Sequence, residues 1–153
     1  MIAEPVVHVG YALPRAGVPS STSFRHWVAA ALAGARRKRA TELCVRIVDE
    51  IEGRALNLDY RGRDYATNVL SFPVDLPQGI ALPLIGDIVL CAPVVTREAH
   101  EQGKAQRDHY AHLTVHGVLH LLGFDHESDS GAMRMEALEV RILSGLGIGN
   151  PYG

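Results

Sequence analysis

The stretch HGVLHLLGFDH, residues 116–126, constrains the fold of this chain most strongly, because it places three histidines and a glycine at fixed offsets. His116 and His120 are four residues apart in a segment with close to helical apolar spacing. They are therefore predicted to lie on one face of a helix, about 6 Å apart along its axis. Gly123 can adopt the left-handed conformation that ends a helix and turns the chain, which lets His126 approach the same point. The sequence thus predicts a helix and a turn that hold three imidazoles around one metal ion.

Zinc proteases of the metzincin type share this spacing, but they carry glutamate directly after the first histidine. Here that position is Gly117, so the general base of ordinary peptide hydrolysis is missing. Three neutral imidazoles would leave Zn²⁺ with an open coordination position, whereas structural zinc sites are closed by four protein ligands. The pattern therefore indicates a metal centre that is open to substrate, with a metzincin-like zinc-binding helix and turn.

Five of the eight histidines fall between positions 109 and 126. His112 shares the helical stripe of the first two ligands, but two turns, about 12 Å of rise, separate it from His120. His109 and His112 are therefore interpreted as solvent-facing or supporting residues. Asp125 is a candidate partner that orients a ligand histidine, with a turn or capping role as the alternative, and Glu127 is a candidate base.

The rest of the pattern predicts one domain, residues 1–153, of the α+β class, with a mixed sheet and helices packed on it. Ser20–Ser23 offers N-cap hydroxyls for a helix, and Gly145 is a plausible stop for the last one. Strands are predicted over residues 2–11, 42–51, 55–61, 67–73 and 85–93. Helices are predicted over residues 24–39, 92–106, 108–122 and 130–144.

Composition limits the classes of partner. The net charge of −2 excludes a globally basic nucleic-acid binder, so an anionic partner would need a local patch. Residues 36–39, Arg-Arg-Lys-Arg, are a candidate patch for a phosphate backbone, although cations at a helix C-terminus and a solvated face are equal alternatives. Cys44 and Cys91 are far apart in the sequence and are predicted to be small buried residues of a protein in a reducing cytosol. The N-terminus does not resemble a signal peptide and no apolar run could span a bilayer, so a cytoplasmic protein without a membrane partner is expected.

Three blocks resemble the YbeY endoribonuclease family, the bacterial rRNA maturation factors. HGVLHLLGFDH is similar to that family's H-G-x-L-H-L-x-G-[YF]-D-H signature. LNLDYRGRDYATNVLSFP, residues 56–73, is similar to its LNxxYRxxDxxTxVLSFP block, and IGDIVLCAP, residues 85–93, to its GDIxI(C/S) strand. The resemblance covers about residues 40 to 145. Phe124 stands where tyrosine is common, and Asn68 stands where aspartate is frequent, which puts a carboxylate role there in doubt.

This resemblance implies a single α+β domain with one Zn²⁺ held by His116, His120 and His126. It implies hydrolysis of single-stranded RNA in rRNA processing, notably maturation of the 16S rRNA 3′ end, and in ribosome quality control. The partners implied are precursor rRNA, the small ribosomal subunit and its assembly proteins, and no DNA substrate is expected. The family's important arginine maps onto Arg61.

Arg61 and His116 are the candidate catalytic residues. A phosphodiester develops charge on phosphoryl oxygens, and the planar fork of an arginine matches those oxygens. The missing glutamate is therefore compatible with phosphoryl chemistry. The alternative for Arg61 is a surface ion pair with Asp59 or Asp64.

Other polar side chains are predicted around the cleft. Asn68 and Ser71, next to Thr67, are candidate substrate-binding residues, or else they only satisfy turn and sheet hydrogen bonds. Asp87 is a candidate anchor for an arginine or histidine near the site, or else a strand-end residue.

Two other functions fit the sequence less directly. A zinc hydrolase of another class, such as a peptidase, would need Glu127 or Asp125 to reach the metal-activated water. A ribosome-assembly factor would use the metal mainly to stabilise its fold.

Overall fold

A four-stranded mixed sheet organises the chain, and its strand order is β1-β2-β4-β3. The computed structural model describes residues 4–153. Its strands are β1 (Val6–Tyr11), β2 (Glu42–Val48), β3 (Val69–Pro73) and β4 (Leu84–Cys91). Its helices are α1 (Ser21–Gly34), α2 (Glu50–Arg61), α3 (Ala92–Glu101), α4 (Gln106–Leu121) and α5 (Asp129–Gly145). The first, second and fourth strands run parallel, whereas β3 pairs antiparallel with β4 at one edge, so the predicted α+β class is confirmed.

The main core lies between one face of the sheet and the helices α1, α4 and α5. Alternate residues of the central strands are fully buried there, including Ile47 and Ile88. Phe24 of α1 stacks edge-on against both Trp27 and Tyr110, with ring centroids 5.3 and 5.9 Å apart. This packing clamps α4 against the sheet, and α4 is the helix that carries two of the predicted ligands.

Residues 55–61, predicted as a strand, are the second half of α2, so that prediction is wrong. Asp49 caps the helix, because its Oδ1 accepts the N–H of Glu52 at 2.9 Å. This cap also ends the preceding strand at Val48, whereas the prediction continued it to residue 51. Apolar alternation resembled a strand, but the capped helix start and the burial of Gly53 and Asn57, four residues apart on one face, favour a helix.

The other differences lie at the ends of elements. The first helix stops at Gly34 rather than residue 39, and Arg36 adopts the left-handed region with φ 60°. The helix predicted over 92–106 ends at Glu101, and a turn at Gly103 with φ 65° separates it from α4, which begins at Gln106. Gly145 is the last residue of α5, and Gly147, with φ 79°, follows in the turn. The predicted first strand starts at residue 2, and residues 1–3 lie outside the described part of the chain.

The two cysteines differ in burial. Cys91 is buried as predicted, but Cys44 is only partly buried, and both are free thiols. Among residues 4–153, none of the helices has both the length and the apolar character needed to cross a membrane.

Candidate metal centre

His116, His120 and His126 come together at the end of α4. One ring nitrogen from each lies within 4.8 Å of the others, and the Nε2 atoms of His116 and His120 are 3.0 Å apart. Two imidazole nitrogens on one tetrahedral zinc ion at ~2.05 Å would be about 3.4 Å apart. The cluster therefore has the dimensions that a single ion requires, and its chemistry is that of an all-imidazole site.

The turn after α4 brings the third histidine to the other two. Gly123 has φ 97°, a conformation that L side chains rarely adopt, and its N–H donates to the carbonyl of His120 at 3.0 Å. The N–H of Phe124 then donates back to Leu119 at 3.0 Å. These bonds close the helix end and direct the chain back, so that the exposed His126 faces the helical pair.

Burial favours the metal-binding form of His120. It lowers the pKa of the His120 imidazole to about 4, and the neighbouring His116 and His126 act in the same direction. The ring is therefore neutral at pH 7, and a neutral imidazole is the form that donates a lone pair to a metal.

Glu139 of α5, which the sequence interpretation missed, supports the cluster from inside the protein. Its side chain is completely buried, and its Oε1 accepts a hydrogen bond from Nδ1 of His116 at 2.5 Å. Burial raises the pKa of Glu139, but hydrogen bonds from His112, His116 and Tyr152 outweigh it and lower that pKa to about 2. An ionised carboxylate on Nδ1 leaves Nε2 of His116 for the metal, the arrangement typical of metal-ligating histidines.

A signal for Glu139 was present in the sequence. Met135, Glu139 and Ile142 follow one another at helical steps of four and three, so Glu139 lies within the stripe of α5 that packs into the core. A carboxylate in an apolar stripe needs a buried partner. The histidines of α4 are that partner.

Tyr152, near the C-terminus, also forms a hydrogen bond with the Glu139 carboxylate. Its hydroxyl donates to Oε2 of Glu139, and it lies 3.2 Å from Nε2 of His112. Burial raises the pKa of Tyr152, and so does the hydrogen bond to Glu139, so the hydroxyl keeps its proton. His112 also contacts Oε2 of Glu139 at 3.5 Å, which gives it the supporting role that was one of its two interpretations.

Replacing Tyr152 by phenylalanine is expected to weaken metal binding by about tenfold, because changes in groups that orient metal ligands typically cost 10- to 100-fold in affinity. The ring that packs on His112 is retained, but the buried Glu139 loses a hydrogen bond, so a loss of stability of about 1–3 kcal/mol is also expected. The zinc affinity would be measured by competition with a chromophoric chelator. Tyr65→Phe, at an exposed tyrosine away from the cluster, is the matched control, and an affinity of Tyr152→Phe equal to that of this control would contradict the prediction.

Beside the histidines lies a cavity of about 640 Å³ that also contains Arg61. Arg61 is the last residue of α2. The predicted alternative, an ion pair with Asp59 or Asp64, is not formed, and Arg54 binds both oxygens of the Asp64 carboxylate at 2.7 and 2.9 Å. Within residues 4–153, none of the ion pairs involves Arg61. The cavity is lined by Tyr60, Arg61, Thr67, Asn68, Val69, Leu70, Ser71, Phe72, Pro73, His116, His120 and His126.

Asn68 and Ser71 line this cavity but already have partners in the protein. Nδ2 of Asn68 donates to Glu98 at 2.9 Å, and Glu98 also pairs with Nε2 of the buried His109 at 2.9 Å. His109 is therefore not solvent-facing. The hydroxyl of Ser71 donates to the carbonyl of Gly117 at 3.3 Å and so ties the edge strand to α4. Both residues shape the wall of the cavity.

The structure does not bring Asp87 or Asp125 to the histidines as partners. Asp87 precedes Ile88 in β4 and therefore points to the opposite face of the sheet, where it lines a separate cavity of about 560 Å³. Oδ1 of Asp125 accepts the N–H of Glu127 at 3.2 Å, which is the turn role given as its alternative. Neither Asp125 nor Glu127 lines the cavity beside the histidines.

Gly117 occupies a position where a side chain would be crowded by the sheet. A Cβ atom there would lie 3.1 Å from two carbons of Ile88 in β4. The position that carries the glutamate in metzincins thus faces the sheet, where a carboxylate would be buried in the core instead of reaching the metal. Close packing of α4 on β4 is the physical reason for the glycine.

Comparisons with known proteins show the family of this chain. The family model for endoribonuclease YbeY matches residues 18–147. An endoribonuclease YbeY of Stenotrophomonas maltophilia is 63% identical, and one of Xanthomonas axonopodis pv. citri is 65% identical, each alignment covering 95% of this chain and 92% of the relative. The solution structure of TM1509 from Thermotoga maritima shares the fold, with a TM-score of 0.61 and 21% identity over 92% of this chain and 91% of that one. The chain belongs to the endoribonuclease YbeY family.

Proposed function

We propose that this chain is a cytoplasmic, zinc-dependent endoribonuclease for single-stranded RNA, with residues 1–153 as one catalytic domain. We propose that it acts in maturation of the 16S rRNA 3′ end and in ribosome quality control. The observation that carries this proposal is the cavity lined by both the histidine cluster and Arg61, which forms no ion pair within residues 4–153. Membership of an endoribonuclease family supports the reaction class.

One Zn²⁺ per chain would be held by His116, His120 and His126, although three imidazoles also suit nickel or copper. A bound zinc ion would supply Lewis acidity and a water with a lowered pKa. Arg61 would bind the phosphoryl oxygens of the cleaved bond through its planar guanidinium, which is worth most where negative charge develops. Glu139 and Tyr152 would keep His116 in the orientation that this chemistry needs.

Single-stranded RNA fits the walls of the cavity. Tyr60 is 68% exposed, and its ring lies 4.7 Å from the ring of Phe72, both on the cavity. Exposed aromatic rings stack on unpaired bases, which a duplex does not present. Asn68 and Ser71 are proposed to contact the strand from the edge of β3, with their remaining hydrogen-bonding capacity.

The peptidase alternative is less well supported. Gly117 faces Ile88, and Asp125 and Glu127 lie outside the cavity, so the described residues offer no carboxylate at the position that zinc peptidases use. The small ribosomal subunit and its assembly proteins are proposed partners. The net charge of −2 favours weak, salt-sensitive binding of free RNA, which such partners would strengthen.

Cleavage of an end-labelled RNA that spans the precursor 3′ end of 16S rRNA tests this function. The zinc-loaded protein is expected to cut the single strand and to leave the same RNA intact when it is annealed to its complement. Chelation should abolish cutting, and one equivalent of Zn²⁺ per chain should restore it. Cutting that persists after chelation, or equal cutting of single and double strands, would contradict the proposal.

A further inference from the structure

Two arginines of the segment 36–39 line a second cavity next to the metal centre. Arg37 and Arg39 form one wall of this cavity, whose volume is about 440 Å³. Most of the remaining wall is apolar and comes from the segment that runs from the end of β3 to the start of β4, including Leu76, Ile80 and Leu82, and from Leu121 at the end of α4. Ile80 and Leu82 are 51% and 53% exposed. The cavity therefore combines two guanidinium groups with apolar side chains that are open to solvent.

This arginine cavity adjoins the cavity of the metal centre. Pro73, at the end of β3, lines both of them. On the helix side, His120 lines the metal cavity and the next residue, Leu121, lines the arginine cavity. The two cavities are therefore neighbours, close enough for one extended strand to occupy both.

In the described part of the chain, the arginines of this cavity have no acidic partners. The ion pairs within residues 4–153 include neither Arg37 nor Arg39, and the only side-chain hydrogen bond of Arg37 there runs from Nε to Thr41 at 3.1 Å. Burial lowers the pKa of Arg37, and the positive charge of Arg39 acts in the same direction. Two unneutralised cations beside each other attract an anion, and the phosphates of a strand would neutralise both.

All four cations of the run lie near the end of α1, so this position does not explain why only Arg37 and Arg39 line the cavity. Cations after the last turn of α1 would complement the helix dipole, but Arg36 and Lys38 belong to the same run and do not line the cavity. Both of those side chains are exposed. The four cations thus divide into two that face the cavity and two that do not, which is the basis of a matched comparison.

We propose that Arg37 and Arg39 bind backbone phosphates of the RNA strand on one side of the cleaved bond, with the apolar wall receiving its bases. This inference rests on the proposed function, since it takes the strand at the metal centre to be RNA. It assigns a role to a basic segment that lies outside the metal site. It also gives a protein of net negative charge a local surface for an anionic substrate.

The test compares two double variants that remove the same charge. Arg37→Gln/Arg39→Gln removes the cations that line the cavity, and Arg36→Gln/Lys38→Gln removes the two that do not. Binding of labelled single-stranded RNAs of about four and about twelve nucleotides is followed by fluorescence anisotropy over a range of salt concentrations. The measurement is made on ice with the zinc-loaded protein, and a gel confirms that the probe is intact. Cleavage by each protein is assayed separately.

For the longer RNA, Arg37→Gln/Arg39→Gln is expected to lose affinity on the order of tenfold at 0.1 M salt. The slope of log affinity against log salt should become shallower by about 1.4, the value for two phosphate contacts on a single strand. Arg37→Lys/Arg39→Lys should restore most of this slope. Arg36→Gln/Lys38→Gln should stay close to the parent protein, and the shorter RNA should hardly distinguish the variants.

Equal slopes for the two charge-removing doubles would overturn the inference, whether both change or neither does. A shallower slope for Arg37→Gln/Arg39→Gln than for Arg36→Gln/Lys38→Gln supports it. The two doubles have the same net charge and differ in whether the changed residues face the cavity. Thermal unfolding of each variant checks that the protein remains folded when the hydrogen bond from Arg37 to Thr41 is lost. Slopes that differ in a protein that cleaves no RNA would leave the phosphate surface standing and reject the nuclease function, so the two failures are separate.

Discussion

His126→Ala is expected to lower the zinc affinity by about 1,000-fold, equivalent to about 4 kcal/mol, and to remove RNA cleavage at stoichiometric zinc. His126 supplies one of the three imidazoles in the cluster, and two remaining ligands bind zinc weakly. The side chain lies on the exposed turn after α4, so its loss should change the stability of the metal-free protein by no more than about 0.5 kcal/mol. Chelator competition and RNA cleavage at one equivalent of zinc measure the two effects.

His100→Ala is the control for this substitution, since His100 is an exposed histidine of α3 outside the cluster. It should bind zinc and cleave RNA like the parent protein. Cleavage by His126→Ala at the parent rate, with zinc affinity also retained, would show that the three histidines do not form the metal centre. Comparison of the melting temperatures of the metal-free proteins separates loss of ligand from loss of fold.

Arg61→Ala is expected to reduce kcat/KM for RNA cleavage by about 10²- to 10³-fold, with most of the loss in kcat. An arginine that stabilises charge developing on the phosphoryl group acts more strongly in the transition state than on the bound substrate. Arg61 lines the cavity but is not part of the histidine cluster, so the substitution should leave zinc affinity unchanged. Steady-state cleavage of a fluorogenic single-stranded RNA gives both kinetic constants.

Two further substitutions make the test of Arg61 specific. Arg61→Lys keeps the charge but loses the planar fork, so it should recover only part of kcat. Arg63→Ala removes the same charge two residues away, where the guanidinium bonds to the hydroxyl of Tyr65 and is not in the cavity, and it should cost little. Similar losses in Arg61→Ala and Arg63→Ala would indicate general attraction of RNA in place of a phosphate clamp.

Local rules explain why much of this molecule could be predicted from the sequence. Residues four apart on a helix share a face, and glycine permits a left-handed turn, so the clustering of His116, His120 and His126 follows from spacing. The long helices α4 and α5 were predicted to within two residues at each end, because side chains of similar type recur along both at steps of three and four. The functional role predicted for Arg61 depended instead on the family resemblance, because the local sequence around a lone arginine does not indicate a function.

Local patterns gave a wrong prediction where a strand-like alternation and a helix cap occurred in the same segment. Residues 55–61 alternate like a strand, but the cap at Asp49 and the close contact of Gly53 with Cys91 place them in α2. This error concerns the site itself, because α2 is the helix that delivers Arg61 to the cavity. A helix of twelve residues with little apolar content gains its stability from capping and packing, and packing is not visible in a short window of sequence.

The sequence by itself determined the clustering of the three histidines and the turn that completes the cluster, since both depend on spacing along one stretch of chain. It also determined the class of fold, which follows from the order of strands and helices. Only the tertiary structure decided what supports and surrounds the cluster. Glu139 and Tyr152 reach His116 because α5 and the C-terminus pack against α4, and Asp87 is excluded because of the face of β4 from which it points. Gly117 likewise has its reason in Ile88, which lies 29 positions earlier in the chain. Contacts between distant segments depend on how helices and strands are oriented against each other, and that orientation results from the packing of the whole core.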